Sequence, residues 1–374
     1  MNDTLESRAR QIYERFLQRA SRDDEFNDWA GYRAELTDYI IRKTAPGSSL
    51  LILGAGKCND LDLQKLAEHC GSITLSDYRP ETAEEAFRQY GLEPSEPLES
   101  AQLESAAPSE QLEPVQLESA APPARLRFAC ADYVGITDED YIEYTAKLLG
   151  IMQKLGDMTG SSLEEIAGPQ LIELRQTLEQ IYERNADYRI DLGGETYDYA
   201  VVAGVHSQLN NSFRGLFQYV KKDVEDNGGA GGAENAGSAK NAGSAENDGG
   251  AENAGSAKNA GSAGTEILFA DDLNAFVFQT TREHTGDLVD RFNEAVFAAV
   301  KQGIIYGFEK SIIYNVEGLC SPMIGTVDGA RQAGEAISEL PAEDPWGCLW
   351  PLSRRRGIKF EMAICYLPMD KQTS

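Results

Sequence analysis

Histidine is nearly absent from this chain, with three in 374 residues, and the six cysteines (Cys58, Cys70, Cys130, Cys320, Cys348, Cys365) include no CxxC pair and no His/Cys spacing of a zinc site. A structural metal is therefore not expected, and scattered thiols fit a reducing compartment better than a disulfide framework. No uninterrupted apolar run reaches the roughly 18 residues a membrane-spanning helix needs. The opening residues, MNDTLESRARQIYERF, are polar and charged where a secretory signal carries an apolar centre, so a soluble, cytoplasmic protein without a membrane partner is the expectation. Basic residues are also scarce: 34 Lys and Arg stand against 61 Asp and Glu, a formal net charge of -27. Phosphate backbones are bound through clustered Lys and Arg that release counterions, so this balance argues against nucleic acid and leaves a small molecule as the expected partner.

What is present is enough apolar material, 41% of residues, to bury a sizeable core. Two segments fall outside it. Residues 94–123 hold six of the 14 prolines and repeat LESAAP at 103–108 and 117–122; residues 227–264 are rich in Gly, Ala, Ser and Asn and repeat ENAGSAKNAGSA at 234–245 and 252–263. Neither repeat carries the large apolar residues that stacked solenoid units bury, so both read as low-complexity, disordered insertions. Removing 30 and 38 residues from 374 leaves 306, a size suited to one elaborated α/β domain.

The remainder alternates strand-like and helix-like segments. Two amphipathic helices open the chain, one with Leu5, Ala9, Ile12, Tyr13 and Phe16 on a face, the other with Trp29, Tyr32, Leu36, Tyr39 and Ile40; residues 1–47 read as an N-terminal helical cap and 48–374 as the main domain. There follow a strand (Leu50 to Leu53), a helix from about Asp60 to Cys70, a strand (Ile73 to Ser76) ending on Asp77, and a helix between Pro80 and Gly91. RLRFACA is the third strand. Residues 138–190 read as a helical insertion after it, carrying Tyr141, Tyr144, Leu148, Ile151 and Leu155 on one helix and Leu171, Leu174, Leu178 and Ile181 on the next. Then come a strand YDYAVVAGV (Tyr197 to Val205), a helix near Ser212 to Lys222, a strand EILFA (Glu266 to Ala270), a helix with Leu288, Phe292, Val296 and Val300 on one face, and a closing hairpin, WGCLWPL, SRRRG, IKFEMAICYL. The expected fold is α/β, a doubly wound, mostly parallel sheet with a C-terminal antiparallel hairpin.

The stretch SSLLILGAGKCNDLDL sets an apolar strand against Gly54 and Gly56 and then against a helix. In an open parallel sheet, ligands bind beyond the carboxyl ends of the strands, at the switch point. Glycine allows the turn its unusual backbone angles and lets a ligand approach main-chain N–H groups. Asp77, at the tip of the second strand and 23 residues after Gly54, is placed to accept hydrogen bonds from ribose hydroxyls.

From about Leu50 to Ala270, with the hairpin in addition, the chain resembles the class I S-adenosylmethionine-dependent methyltransferase superfamily. LLILGAG is similar to its first motif, implying that Gly54, Ala55 and Gly56 meet the methionine part of the cofactor. ITLSD is similar to the second, implying that Asp77, followed by Tyr78, holds the ribose. FACADY is similar to the third, implying that Asp132 meets the adenine amino group with Tyr133 beside the ring, and YDYAVVAGVHSQL resembles the fourth, a strand facing the methyl donor. Cys58 stands where the common pattern has a third glycine, Ile52 stands where an acid often precedes the turn, and GVHSQ replaces the Asn/Asp-Pro-Pro-aromatic signature of enzymes that methylate amino groups of nucleic acids and proteins.

The resemblance implies S-adenosylmethionine as cofactor and methylation of a small-molecule acceptor. A nicotinamide-dependent oxidoreductase on the same cradle, or a binding or regulatory protein that kept the cradle without the chemistry, are the alternatives. Methyl transfer is an in-line displacement that needs positioning, with a general base only for an acceptor that carries a proton of high pKa. His206, after the fourth strand, is the candidate base and Gln208 the candidate acceptor-orienting residue; a histidine satisfied by its surroundings is the competing reading. The helical insertion leaves the third strand at its carboxyl end, which makes it the candidate lid or substrate-selecting wall.

Overall fold

Ser49–Leu53 forms the central strand, β1, because SLLIL is apolar at four successive positions and can be buried on both sides at once. Leu50 and Ile52 enter one core, Leu51 and Leu53 the other, and every one of the four is at most 2% exposed. The computed structural model describes residues 3–20, 26–95, 124–156, 163–228, 263–315, 323–326, 342–353 and 357–369. Around β1 run β2 (Ser72–Asp77), β3 (Arg125–Cys130), β4 (Tyr197–Ala203), β5 (Val300–Tyr314), β6 (Met323–Thr326), β7 (Glu343–Ser353) and β8 (Ile358–Pro368). The sheet order is β3-β2-β1-β4-β5-β8-β7, with the short β6 paired to β5. The first five strands are parallel, and β8 is antiparallel to both β5 and β7. The closing hairpin is thus placed at the end of a doubly wound sheet, as expected, with its second strand inserted next to β5. The fold is Rossmann-like.

The helices are α1 (Asp3–Ala20), α2 (Ala30–Lys43), α3 (Leu63–His69), α4 (Pro80–Gln89), α5 (Asp138–Gly156), α6 (Leu163–Arg184), α7 (Ser212–Gly228) and α8 (Ala263–Ala299). The chain divides into two units. The sheet unit comprises Arg22–Ile136, Arg184–Ser212 and Arg282–Ser374, with α2, α3 and α4 contributing to one core and the end of α8 to the other. The helical unit comprises Met1–Ser21, Thr137–Glu183 and Phe213–Thr281, built on Phe213, whose ring meets Tyr141, Tyr144 and Tyr182. There α1 is tied down by Asp223, a buried carboxylate that accepts from Arg8 Nε at 2.7 Å and Arg15 Nη2 at 2.5 Å.

The fifth strand is not where the sequence placed it. Glu266–Ala270 lies inside α8, and the strand beside β4 is Val300–Tyr314. A run of four apolar residues does not distinguish strand from helix, and here the buried Leu273, Val277 and Thr281 follow at helical spacing without an intervening Gly or Pro. Val300, expected on the helix, opens β5 instead. It follows that the second low-complexity insertion joins helix α7 to helix α8 and does not lead into a strand; its residues 229–262, like 96–123 of the first and Arg354 to Arg356 of the hairpin, lie outside the described residues.

Polar clamps fix strand register. At the amino end of β4, Asp198 Oδ2 accepts from both the N–H and the hydroxyl of Ser49, 2.9 Å each, and Oδ1 from Gln302 Nε2 at 3.0 Å, so β1, β4 and β5 are joined through one carboxylate. These bonds hold its pKa below the usual carboxylate range. Phe292 of α8 is fully buried against His206 and Tyr133. Phe292→Ala is expected to lower the unfolding free energy by about 3–5 kcal/mol in urea titration, the range for truncating a buried aromatic ring.

Candidate active site

The carboxyl end of β1 turns through Gly54 (φ 61°), Gly56 (φ 50°) and Cys58 (φ 52°) before Asp62 caps α3 by accepting from the Lys65 N–H. The third position of the glycine pattern therefore keeps the left-handed backbone even though a cysteine fills it, at a cost of about 1–2 kcal/mol. Burial of the side chain explains the exchange: Cys58 is fully buried, and burial pushes its thiol pKa well up. A side chain on Gly54 would run into Val205 Cγ2 at 2.7 Å, whereas one on Gly56 would meet nothing within 4 Å. The turn thus packs against the end of β4 at one glycine and opens at the other. Ala55, between them, is buried, and its N–H donates to the Ser76 carbonyl.

Asp77, at the tip of β2, accepts from Gly56 N–H at 2.8 Å and from Arg79 N–H at 3.3 Å, one bond to each carboxylate oxygen. Each oxygen retains accepting capacity. Tyr78 beside it is 48% exposed, one of three large exposed apolar side chains among the described residues. Asp132 takes Val134 N–H and Gly135 N–H on Oδ1, at 2.9 and 3.0 Å, in a side-chain-capped turn after β3. Tyr133 folds inward: its hydroxyl accepts from Gly54 N–H at 3.0 Å and lies 2.8 Å from the Ser76 carbonyl, to which it donates. The structure therefore brings Gly54, Gly56, Asp77 and Tyr133 into one connected network at the switch point, while Tyr78 and Asp132 flank it.

His206 and Gln208 belong to the turn after β4. Gln208 donates its side-chain amide to the Gly204 carbonyl at 3.2 Å and so braces that turn. His206 is 1% exposed, enclosed by Phe292, Tyr306 and Phe308. Its Nε2 lies 3.0 Å from Asn293 Oδ1, so with the amide oriented this way Nε2 carries the proton and Nδ1 keeps its lone pair, which finds no hydrogen-bond partner among the described residues. Burial lowers its pKa to about 4 against the opposing Asn293 bond, leaving it neutral at pH 7.

Three groups that sequence reasoning did not select meet here. Ser207 donates to Glu309 Oε1 at 2.7 Å, and Trp350 of β7 lies over Gly204. Glu309 carried a signal, a lone glutamate inside the apolar run GIIYGFEKSIIY, but Trp350 reaches the turn only through hairpin pairing. Asp60, in the loop before α3, has its carboxyl pKa raised to about 6 by desolvation, with Arg33 opposing. Among the described residues no group of three or more His, Cys, Asp or Glu is placed to hold a metal ion, and no helix is long and apolar enough to cross a membrane.

No family model matches the chain, and no curated protein matches it at a significant level. Among solved structures it is similar to the N-methyltransferase NodS from Bradyrhizobium japonicum WM9 in complex with S-adenosyl-L-homocysteine, at 11% identity and a TM-score of 0.36 over 96% of this chain and 99% of that one. It is also similar to magnesium protoporphyrin IX methyltransferase (ChlM) from Synechocystis PCC 6803 with bound SAM, at 8% identity and a TM-score of 0.30 over 88% and 78%. A third is an S-adenosylmethionine-dependent methyltransferase from Clostridium acetobutylicum ATCC 824, at 8% identity and a TM-score of 0.29 over 94% and 96%. Scores this low add no weight on chemistry, which rests on the site itself.

Asp60 and His206 give opposite pH signatures. Asp60 has a folded pKa above its unfolded value near 3.8, so its contribution is most favourable below pH 3.8 and is lost as pH rises through about 6. Asp60→Asn should therefore gain about 1–3 kcal/mol of stability at pH 8 relative to its effect at pH 3.5. His206 has a depressed folded pKa, so its contribution is present above 6.5 and is lost as pH falls through about 4. His206→Gln should remove about 1–3 kcal/mol of the acid destabilisation between those values. Urea titrations across the two windows check both signs.

Proposed function

We propose that this chain is an S-adenosylmethionine-dependent methyltransferase acting on a small-molecule acceptor. The observation that carries the reading is the arrangement at the switch point: two left-handed glycines, open space beyond Gly56, and Asp77 at the tip of the neighbouring strand with accepting capacity left on both oxygens. These residues fit a nucleoside cofactor with a charged tail. Gly54 to Gly56 would face the methionine part, Asp77 the ribose hydroxyls, and Asp132, through its Oδ2, the adenine amino group. When bound, the cofactor supplies an electrophilic methyl group on a sulfonium.

The chain's own part is positioning. Asp77 braces the turn through Gly56 while receiving the ribose, so one carboxylate both shapes the cradle and reads the ligand. Tyr133 holds Gly54 against Ser76 and fixes the floor of the site. Enclosed and neutral, His206 serves in this reading as a wall that sets the β4 turn, and the acceptor side passes to Ser207 and Glu309. The net charge of -27 and the five free cysteines among the described residues support a cytoplasmic setting with a small molecule, not nucleic acid, as partner.

Calorimetry tests the cradle. S-adenosylmethionine and its demethylated product should bind the folded wild type, and NAD should not. Asp77→Ala should weaken binding by about two to four orders of magnitude, since two charge-assisted hydrogen bonds of roughly 1.5–3 kcal/mol each are lost. Binding of NAD in place of the methyl donor, or no donor binding by well-folded protein, overturns the reading.

A further inference from the structure

A second set of groups gathers at the same edge of the sheet. Glu309 lies on β5 two residues beyond Gly307, the partner of Ala203 at the end of β4, and beside the irregularity between Glu309 and Ser311. Such bulges re-aim side chains at sheet edges. Glu309 is 2% exposed, Oε1 is taken by Ser207, and Oε2 has no hydrogen-bond partner among the described residues. A buried carboxylate oxygen left bare is costly unless a cation or donor meets it.

Its surroundings are aromatic. A methyl group built on Gly204 would lie 3.2 Å from Glu309 Oε1 and 3.3 Å from the Trp350 ring, so carboxylate and indole converge on one point. Tyr32 stacks on Trp350 at 5.7 Å, and Trp29 meets it edge-on at 4.9 Å. The Nε1 atoms of both indoles are buried and also without a hydrogen-bond partner among the described residues. Burial raises the Glu309 carboxyl above the usual range, a penalty on its charged form that a bound cation offsets. Arg33 of α2 donates to the Phe26 and Asn59 carbonyls.

We propose that Glu309, Trp350 and Tyr32 form the acceptor subsite and that it takes a basic nitrogen, so that the acceptor is an amine. A positive nitrogen satisfies the bare oxygen and the aromatic faces together. Carboxylate acceptors are disfavoured by this acid, and a neutral hydroxyl leaves the charge of its ionised form uncompensated. The proton of the bound ammonium passes to Glu309 Oε2, which frees the nitrogen lone pair. That pair forms the new N–C bond, and the electrons of the broken C–S bond leave on the donor's sulfur. This inference rests on the methyltransferase reading for its chemistry but not for its binding.

The test is calorimetry on the full chain with a graded series of primary amines, from methylamine to tryptamine, each paired with the alcohol that replaces NH2 by OH, with and without saturating S-adenosylhomocysteine. At least one amine should bind tenfold or more tightly than its alcohol. Glu309→Gln should bring that pair within threefold while S-adenosylhomocysteine affinity changes less than threefold. Absence of any amine preference across the series, or a preference that survives Glu309→Gln, overturns the proposal. Failure of S-adenosylhomocysteine to bind while the Glu309-dependent preference persists overturns the methyltransferase reading and leaves the amine site standing.

Discussion

One phenolic hydroxyl ties together the ends of three parallel strands. Tyr133, just past β3, takes the Gly54 N–H at the end of β1 and gives its own proton to the Ser76 carbonyl in β2. Without it, a glycine N–H would stand at the lip of a sheet whose remaining main-chain groups are paired along the ladders. The shape of the turn follows from this bond together with the Asp77 bond to Gly56. The floor of the site is therefore set by side chains from two neighbouring strands, and the glycines contribute the freedom to accept that shape.

The two sides of the turn divide the labour. On the α8 side, His206 is locked among Phe292, Tyr306 and Phe308, with one nitrogen committed to Asn293. On the α2 side, Ser207, one residue later, delivers its hydroxyl to Glu309. Successive residues of a single turn thus face two different environments, one built of aromatic rings around a neutral imidazole, the other carrying a buried carboxylate.

The residues that could be read from the sequence are those whose roles are local. β1 to β4, the glycine turn and the acid closing β2 each announce themselves within a few residues, through an apolar run and the punctuation that follows it. What stayed hidden depends on distant partners. Tyr133 folds into a turn 79 positions earlier, and Trp350 reaches Gly204 only because β7 pairs with β8 and β8 with β5. The misplacement of β5 has the same origin. EILFA looks more strand-like than the glycine-interrupted run that follows Ala299, until the pairing with β4 is known.

The clamp between Ser49 and Asp198 has a consequence for how the chain finds its alignment. A strand with apolar and polar sides carries its register in that alternation, since slipping by one residue would turn the wrong face inward. SLLIL has no alternation, and a slipped β1 would bury its side chains almost as well. The address is written instead in one polar pair at the amino end, where Ser49 gives two hydrogen bonds and its hydroxyl takes one back from the Asp198 N–H. Everything assembled at the other end, Gly54 against Val205 included, is in step because that pair counts the residues between.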